Sequence, residues 1–215
     1  MIQKKAGFIT RNLIFDVDGT LWDTTEIVAK AWNRVLTEID GLPAELTSAI
    51  LKREFGKTME VIADDLFPEA SKSTKLHFMQ KCCEQEHIAL SLATDQLLYP
   101  GVKETIKRLS ENCRLFIVSN CQSGYVELFL EKSGLGPYIE DFECYGNTGN
   151  GKAENIRLLM ERNHLQEAFY LGDTQGDCDA SAAAGIPFLF ARYGFGDVKS
   201  FYRAIDSFGE LLDFC

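Results

Sequence analysis

Two short strings hold carboxylates where they could act together. Asp16-Val17-Asp18-Gly19-Thr20 directly continues the apolar run Leu13-Ile14-Phe15. Side chains alternate along a strand, so Asp16 and Asp18 would point the same way at its carboxyl end. A second string, Gly172-Asp173-Thr174-Gln175-Gly176-Asp177, follows Ala168-Phe169-Tyr170-Leu171 and brings two more carboxylates. Open parallel sheets bind ligands at the carboxyl ends of their strands. Four carboxylates meeting at one edge repel one another unless a hard divalent cation neutralises them, which suits Mg²⁺. Asp-Gly and Gly-Asp pairs are also ordinary turn formers. That bland reading accounts poorly for two such strings at equivalent strand ends.

The elements that must position these groups are legible in the apolar pattern. Runs at 13–17, 114–118, 168–171 and 187–190 read as strands buried on both faces, with a weaker run at 142–145. Helical periodicity lies between them: Val102, Ile106 and Leu109; Val126, Phe129 and Leu130; Ile156, Leu159 and Met160. Small residues from Ala180 to Gly185 would let a further helix approach the sheet closely. Alternating strands and helices predict an α/β fold, a three-layer Rossmann-like core around a parallel sheet. One connection is far too long for a simple crossover. Roughly a hundred residues separate Val17 from Arg114, where a dozen or more suffice.

That stretch carries its own helical pattern. Ile27, Val28, Ala31, Trp32, Val35, Leu36 and Ile39 form one stripe, ended by Gly41 and Pro43. Further helices are expected at 46–54, 58–66 and about 72–91. The pattern predicts a helical cap domain at 23–95, inserted into a core domain made of 1–22 and 96–215.

Composition excludes other classes. Of 215 residues, 22 are Lys or Arg and 32 are Asp or Glu, a formal net charge of −10. Such a field repels nucleic acid and anionic membrane surfaces, so neither is an expected partner. No run of about eighteen apolar residues suggests a membrane span. Seven cysteines, an odd number without a Cys-x-x-Cys pair, suit reduced thiols in the cytoplasm. A monomer or weak homodimer is the default expectation.

The full set of strings resembles the haloacid dehalogenase superfamily of aspartate-nucleophile phosphohydrolases, motif by motif along almost the whole chain. Asp-x-Asp-Gly-Thr is similar to its first motif, and Ser119-Asn120 after Leu-Phe-Ile-Val to its second. Lys152, opening a helix, resembles the third, and Gly-Asp-Thr-x-x-Asp the fourth. The resemblance implies roles. Asp16 would attack phosphorus, and Asp18 would serve as general acid and base, with its main-chain carbonyl on the metal and Thr20 holding it in place. Ser119 and the Asn120 backbone N–H would grip phosphate, and Lys152 would balance charge. Asp173 would bind Mg²⁺, and Asp177 would bind the ion or its waters. Within the superfamily, Asp18 favours phosphoester chemistry, and Thr24-Thr25-Glu26-Ile27-Val28 lacks the histidine usual in sugar phosphomutases. The branch that fits is similar to phosphoglycolate phosphatase, acting on a small phosphorylated metabolite through an aspartyl-phosphate. A mutase or phosphotransferase, or a partner-binding protein that keeps the site, are the other readings. Relatives commonly carry Lys-Pro where this chain has Lys152-Ala153, which leaves the narrow substrate open.

Several features have competing explanations. Gly146 to Lys152 fits a P-loop spacing, but Ala153 stands where its hydroxyl residue belongs. Lys57, or Arg53, in the cap could meet a substrate carboxylate; a solvated basic face at a Thr58-capped helix explains them as well. His77, Cys82, Cys83 and His87 share one predicted helix without completing a zinc site. Cys121 and Cys178 each follow a site residue and read by default as small packing groups. Trp22 and Trp32 are expected to pack cap against core, with Trp22 a candidate for the pocket wall.

Overall fold

The computed structural model describes residues 12–39, 42, 45–94 and 96–213. Its centre is a six-stranded, all-parallel sheet. The strands are β1 (Asn12–Phe15), β2 (Arg114–Ser119), β3 (Asp141–Cys144), β4 (Phe169–Gly172), β5 (Phe188–Ala191) and β6 (Arg203–Ile205). Their order is β3-β2-β1-β4-β5-β6. The direction of winding reverses at β1, so a crevice opens at its carboxyl end, where open α/β sheets bind ligands.

Alternation along β1 buries both faces. Leu13, Phe15 and Val17 join one apolar cluster and Ile14 joins the other. The first cluster holds Val102, Ile106, Val126 and Phe129, from helices α5 (Val102–Leu109) and α6 (Tyr125–Ser133). The second holds Ile156, Leu159 and Ala180, from α8 (Lys152–Arg162) and α9 (Gln175–Ala184). Helices therefore cover both sides of the sheet, and the fold is the expected three-layer α/β architecture. The weak run at 142–145 is a strand, shifted by one residue, and a short helix α7 (Tyr145–Thr148) follows it. Strand β6 carries no sequence signal: three residues at the sheet edge are too short for a pattern, and pairing with β5 alone defines it.

Between β1 and α5 lie four helices: α1 (Thr25–Leu36), α2 (Ser48–Glu54), α3 (Met59–Leu66) and α4 (Lys72–Leu92). Thr47 and Ser71 cap α2 and α4 by accepting from Ile50 N and Thr74 N. The proposed stop of α1 at Gly41 and Pro43 lies outside the described residues; the helix itself ends at Leu36. Buried positions on α4 recur every fourth residue: Phe78, Cys82, Glu86 and Leu90. One of them is charged, which bears on the site. Among the described residues, no helix is long and apolar enough to cross a membrane.

Candidate active site

Strand β1 stops at Phe15, and Asp16 continues its ladder by donating its N–H to Leu171 O at 2.9 Å. Asp16 therefore stands at the mouth of the crevice with its side chain buried. The turn that follows depends on Gly19. Its φ is +80°, and a Cβ there would fall 2.2 Å from Asp173 Oδ2. No side chain fits at that position, so β1 and β4 bring their acidic loops into contact.

Asp173 leaves the end of β4. Its Oδ1 accepts from Thr20 Oγ1 at 3.1 Å, and its Oδ2 from Phe195 N at 2.7 Å. Asp177 opens α9 in a reciprocal capping box with Thr174. Its Oδ2 accepts from Thr174 N at 2.9 Å, Thr174 Oγ1 at 2.7 Å and Asp173 N at 3.2 Å. Its Oδ1 takes Lys152 Nζ at 2.5 Å.

Lys152, the first residue of α8, also lies 3.0 Å from Asp16 Oδ1, with both partners buried. Hydrogen bonds fix the loop before it. Thr148 Oγ1 donates to Asn155 Oδ1 at 2.8 Å, and Asn155 Nδ2 donates to Asn150 O at 3.1 Å. This geometry disposes of the P-loop reading: Lys152 is committed to two carboxylates.

Burial dominates the electrostatics. Desolvation raises the Asp16 carboxyl to about 6, although Lys152 pulls the other way. Burial raises Asp173 well above the carboxylate range, with Asp177 and Asp16 adding repulsion. Burial alone would lower Lys152, but the charges of Asp16 and Asp177 overcome it and hold the ammonium well above its usual value. Neither Asp16 carboxylate oxygen accepts an aligned hydrogen bond. A buried, orphaned carboxylate is costly unless something else coordinates it. Asp16, Asp173 and Asp177 each offer an oxygen within 4.8 Å of the others. An all-oxygen set of this kind fits a hard divalent cation.

Asp18 is placed otherwise than expected. Its carboxylate lies outside that three-aspartate group, and Thr20 does not hold it, because the Thr20 hydroxyl is given to Asp173. Three other donors converge on Asp18 Oδ1: Tyr125 OH at 2.6 Å, Trp22 Nε1 at 3.1 Å and Thr24 Oγ1 at 3.4 Å. Enclosure still raises its carboxyl to about 7, against the opposing effect of the Tyr125 bond. Oδ2 has none of these partners. Tyr125 has no signal in the sequence beyond an aromatic residue opening a helix. It packs edge-on to Trp22, ring centroids 5.7 Å apart, which fixes both donors. Trp22 thus works beneath the site, and Trp32 takes the place in the wall expected of Trp22.

The site opens into a cavity between the sheet edge and the helical insert. Asp16, Asp18, Ser119 and Asn120 form its floor, with Tyr125, Trp32, Phe55, Glu86 and Gln122 around them. Ser119 ends β2 and is buried. Asn120 Nδ2 donates to Gly56 O at 2.8 Å and so ties the floor to the loop between α2 and α3. Phe55 adds an edge contact to Phe195, 6.4 Å between centroids.

Lys57 lines this cavity, but its ammonium is engaged by Glu54 Oε2 and Asp65 Oδ2, both at 2.8 Å. Its ammonium is thus already paired within the insert. Arg53 is exposed and is not among the lining residues. His77 and His87 are exposed, and no metal-ligating group forms on α4 among the described residues. Cys121 lines the cavity, and Cys178 Sγ donates to Ser200 O.

Glu86, like Tyr125, is absent from the expected site residues. It is 4% exposed. Oε2 accepts from Trp32 Nε1 and Oε1 from Gln122 Nε2, both at 3.0 Å. Burial lifts its carboxyl to about 8, with the neighbouring Asp18 charge adding to the rise. The available signal was a glutamate on the i, i+4 apolar stripe Phe78-Cys82-Glu86-Leu90.

A parallel α/β sheet carrying three converging aspartates and a buried lysine at its switch point defines a class of hydrolase fold. Residues 13–191 match the haloacid dehalogenase-like hydrolase family, and the chain belongs to it. Phosphoglycolate phosphatase from Pseudomonas putida is 24% identical, covering 97% of this chain and 81% of its own length. The protein of that name from Vibrio vulnificus is 26% identical, covering 94% of each. A crystal structure of a predicted phosphoglycolate phosphatase from Haemophilus somnus superposes with a TM-score of 0.83 at 21% identity. It covers 94% of this chain and 96% of that one. A haloacid dehalogenase-like hydrolase from Bacteroides fragilis gives the same TM-score at 22% identity, over 94% and 99%. These structures share the fold.

Proposed function

We propose that the chain is a Mg²⁺-dependent phosphatase acting on small-molecule phosphomonoesters through an aspartyl-phosphate on Asp16. One observation carries the reading: the buried Asp16 carboxylate lacks aligned hydrogen bonds, with Lys152 Nζ 3.0 Å from one oxygen, at the floor of a cavity that Asp18 also lines. A nucleophile needs free lone pairs, and this one has them. The names of the relatives support phosphomonoester hydrolysis.

In the first step Asp16 attacks phosphorus while the bond to the leaving alcohol breaks, and Asp18 gives that alcohol oxygen a proton. In the second, Asp18 takes a proton from the water that attacks phosphorus, releasing phosphate and restoring Asp16. Such positioned proton transfer contributes roughly 10²–10⁴-fold. Ser119 and the Asn120 main chain hold phosphoryl oxygens. Lys152 offsets the charge gathered on Asp16. Asp16 and Asp173, with Asp177 behind them, would hold Mg²⁺, which supplies charge neutralisation at the transferring phosphoryl group. The helical insert at 23–95 acts as a cap: Asn120 and Phe195 grip its Gly56 and Phe55, and closure excludes bulk water from the first step.

Purified protein should release phosphate from p-nitrophenyl phosphate with Mg²⁺ and lose that activity on chelation. Asp16→Asn should lower kcat by about 10³-fold or more without changing the thermal midpoint greatly. Undiminished turnover in Asp16→Asn would overturn the reading.

A further inference from the structure

The cavity has a phosphoryl end and a leaving-group end, and the second is built from the insert. Asp16, Ser119 and Asn120 mark the first; Trp32, Phe55, Met59 and Ile62 wall the second. Glu86 is the carboxyl group set among those apolar walls. Two donors, Trp32 Nε1 and Gln122 Nε2, fix its orientation, one on each oxygen. A carboxylate has about four acceptor sites, so accepting capacity remains.

Among the described residues lining the cavity, Lys57 is the one cationic side chain, and Glu54 and Asp65 already hold it. Among the described residues, no unpaired cation lines this end. Above about pH 8, where Glu86 is ionised, a second anion beside it in an apolar enclosure would be repelled without water to screen it. A hydroxyl or ammonium would instead find a preformed acceptor. Discrimination of this kind combines an attraction with a built-in repulsion.

We infer that Glu86 is a specificity-determining residue, selecting a phosphomonoester whose alcohol portion presents a hydrogen-bond donor, hydroxyl or amine, and disfavouring one that presents a carboxylate. The inference rests on the phosphatase reading above and narrows it. The substrate then differs in chemical class from the phosphoglycolate named in its relatives.

The test compares kcat/KM of the protein with Mg²⁺, above pH 8 where Glu86 is ionised, on four probes. They are 2-phosphoglycolate, glycerol 2-phosphate, O-phosphoethanolamine and p-nitrophenyl phosphate. Glycerol 2-phosphate or O-phosphoethanolamine should exceed 2-phosphoglycolate by at least about tenfold, and whichever leads identifies the donor as hydroxyl or ammonium. Glu86→Gln keeps the size and removes the charge; it should bring the ratio to within about threefold, with folding checked by circular dichroism. A wild-type preference for 2-phosphoglycolate would overturn the inference, and so would an unchanged ratio in folded Glu86→Gln. Should the variant not fold, the wild-type order decides alone. Turnover of p-nitrophenyl phosphate alongside preferred 2-phosphoglycolate sinks only this inference; no turnover of any probe sinks the phosphatase reading with it.

Discussion

At the scale of single residues, the site works by assigning each carboxylate a different set of partners. Asp173 is given hydroxyl and amide donors, Asp177 is consumed by a capping box and an ammonium, and Asp16 is met by Lys152 alone, without an aligned hydrogen bond. Asp18 is held through one oxygen only. Its shortest bond comes from Tyr125, a positioning residue that reaches the chemistry through Asp18. A hydrogen bond to a charged group contributes about 1.5–3 kcal/mol. Tyr125→Phe should therefore lower kcat by about ten- to a hundredfold while KM moves little, because the hydroxyl steers proton transfer and not substrate binding. Steady-state kinetics on p-nitrophenyl phosphate would check this. An equal loss in kcat and KM terms would point to general damage to the fold.

At the scale of elements, α4 carries an unusual burden. Glu86 sits on its buried stripe with a carboxyl raised to about 8 from 4.5. The folded state favours the protonated form, so this contribution to stability is complete below about pH 4.5 and is lost as pH rises through about 8. Thermal melts should show Glu86→Gln gaining on wild type across that interval and converging with it in acid. A constant difference at every pH would contradict this. The same helix shows what the sequence could and could not disclose. Apolar periodicity located α4, and both-face apolar runs located β1, β2, β4 and β5, because burial writes itself into local pattern. Asp16 and Asp173 were legible because acidic strings and strand ends coincide, and Lys152 through the motif resemblance alone. The partners of Asp18 were not. Tyr125 lies more than a hundred residues further on, and only the packing of α6 against the turn after β1 brings the two together. Lys57 misled for the same reason: Glu54 is three residues away, but Asp65 pairs with it only once α3 has folded back.

At the scale of the whole molecule, a chain of net charge −10 concentrates part of that charge at one sheet edge and closes a helical insert over it. The bulk field disfavours polyanions; on the proposed function, a cation held by the buried cluster would, with Lys152, accommodate a phosphoryl group. Sheet, cluster and insert serve one central claim, that Asp16 becomes covalently phosphorylated. The most direct measurement is to quench the enzyme in acid during turnover of a ³²P-labelled phosphomonoester and map the protein-bound label. The expected result is a hydroxylamine-sensitive label on the peptide containing Asp16, absent from Asp16→Asn. Steady phosphate release with no label on the protein, or with the label on another residue, would contradict the account.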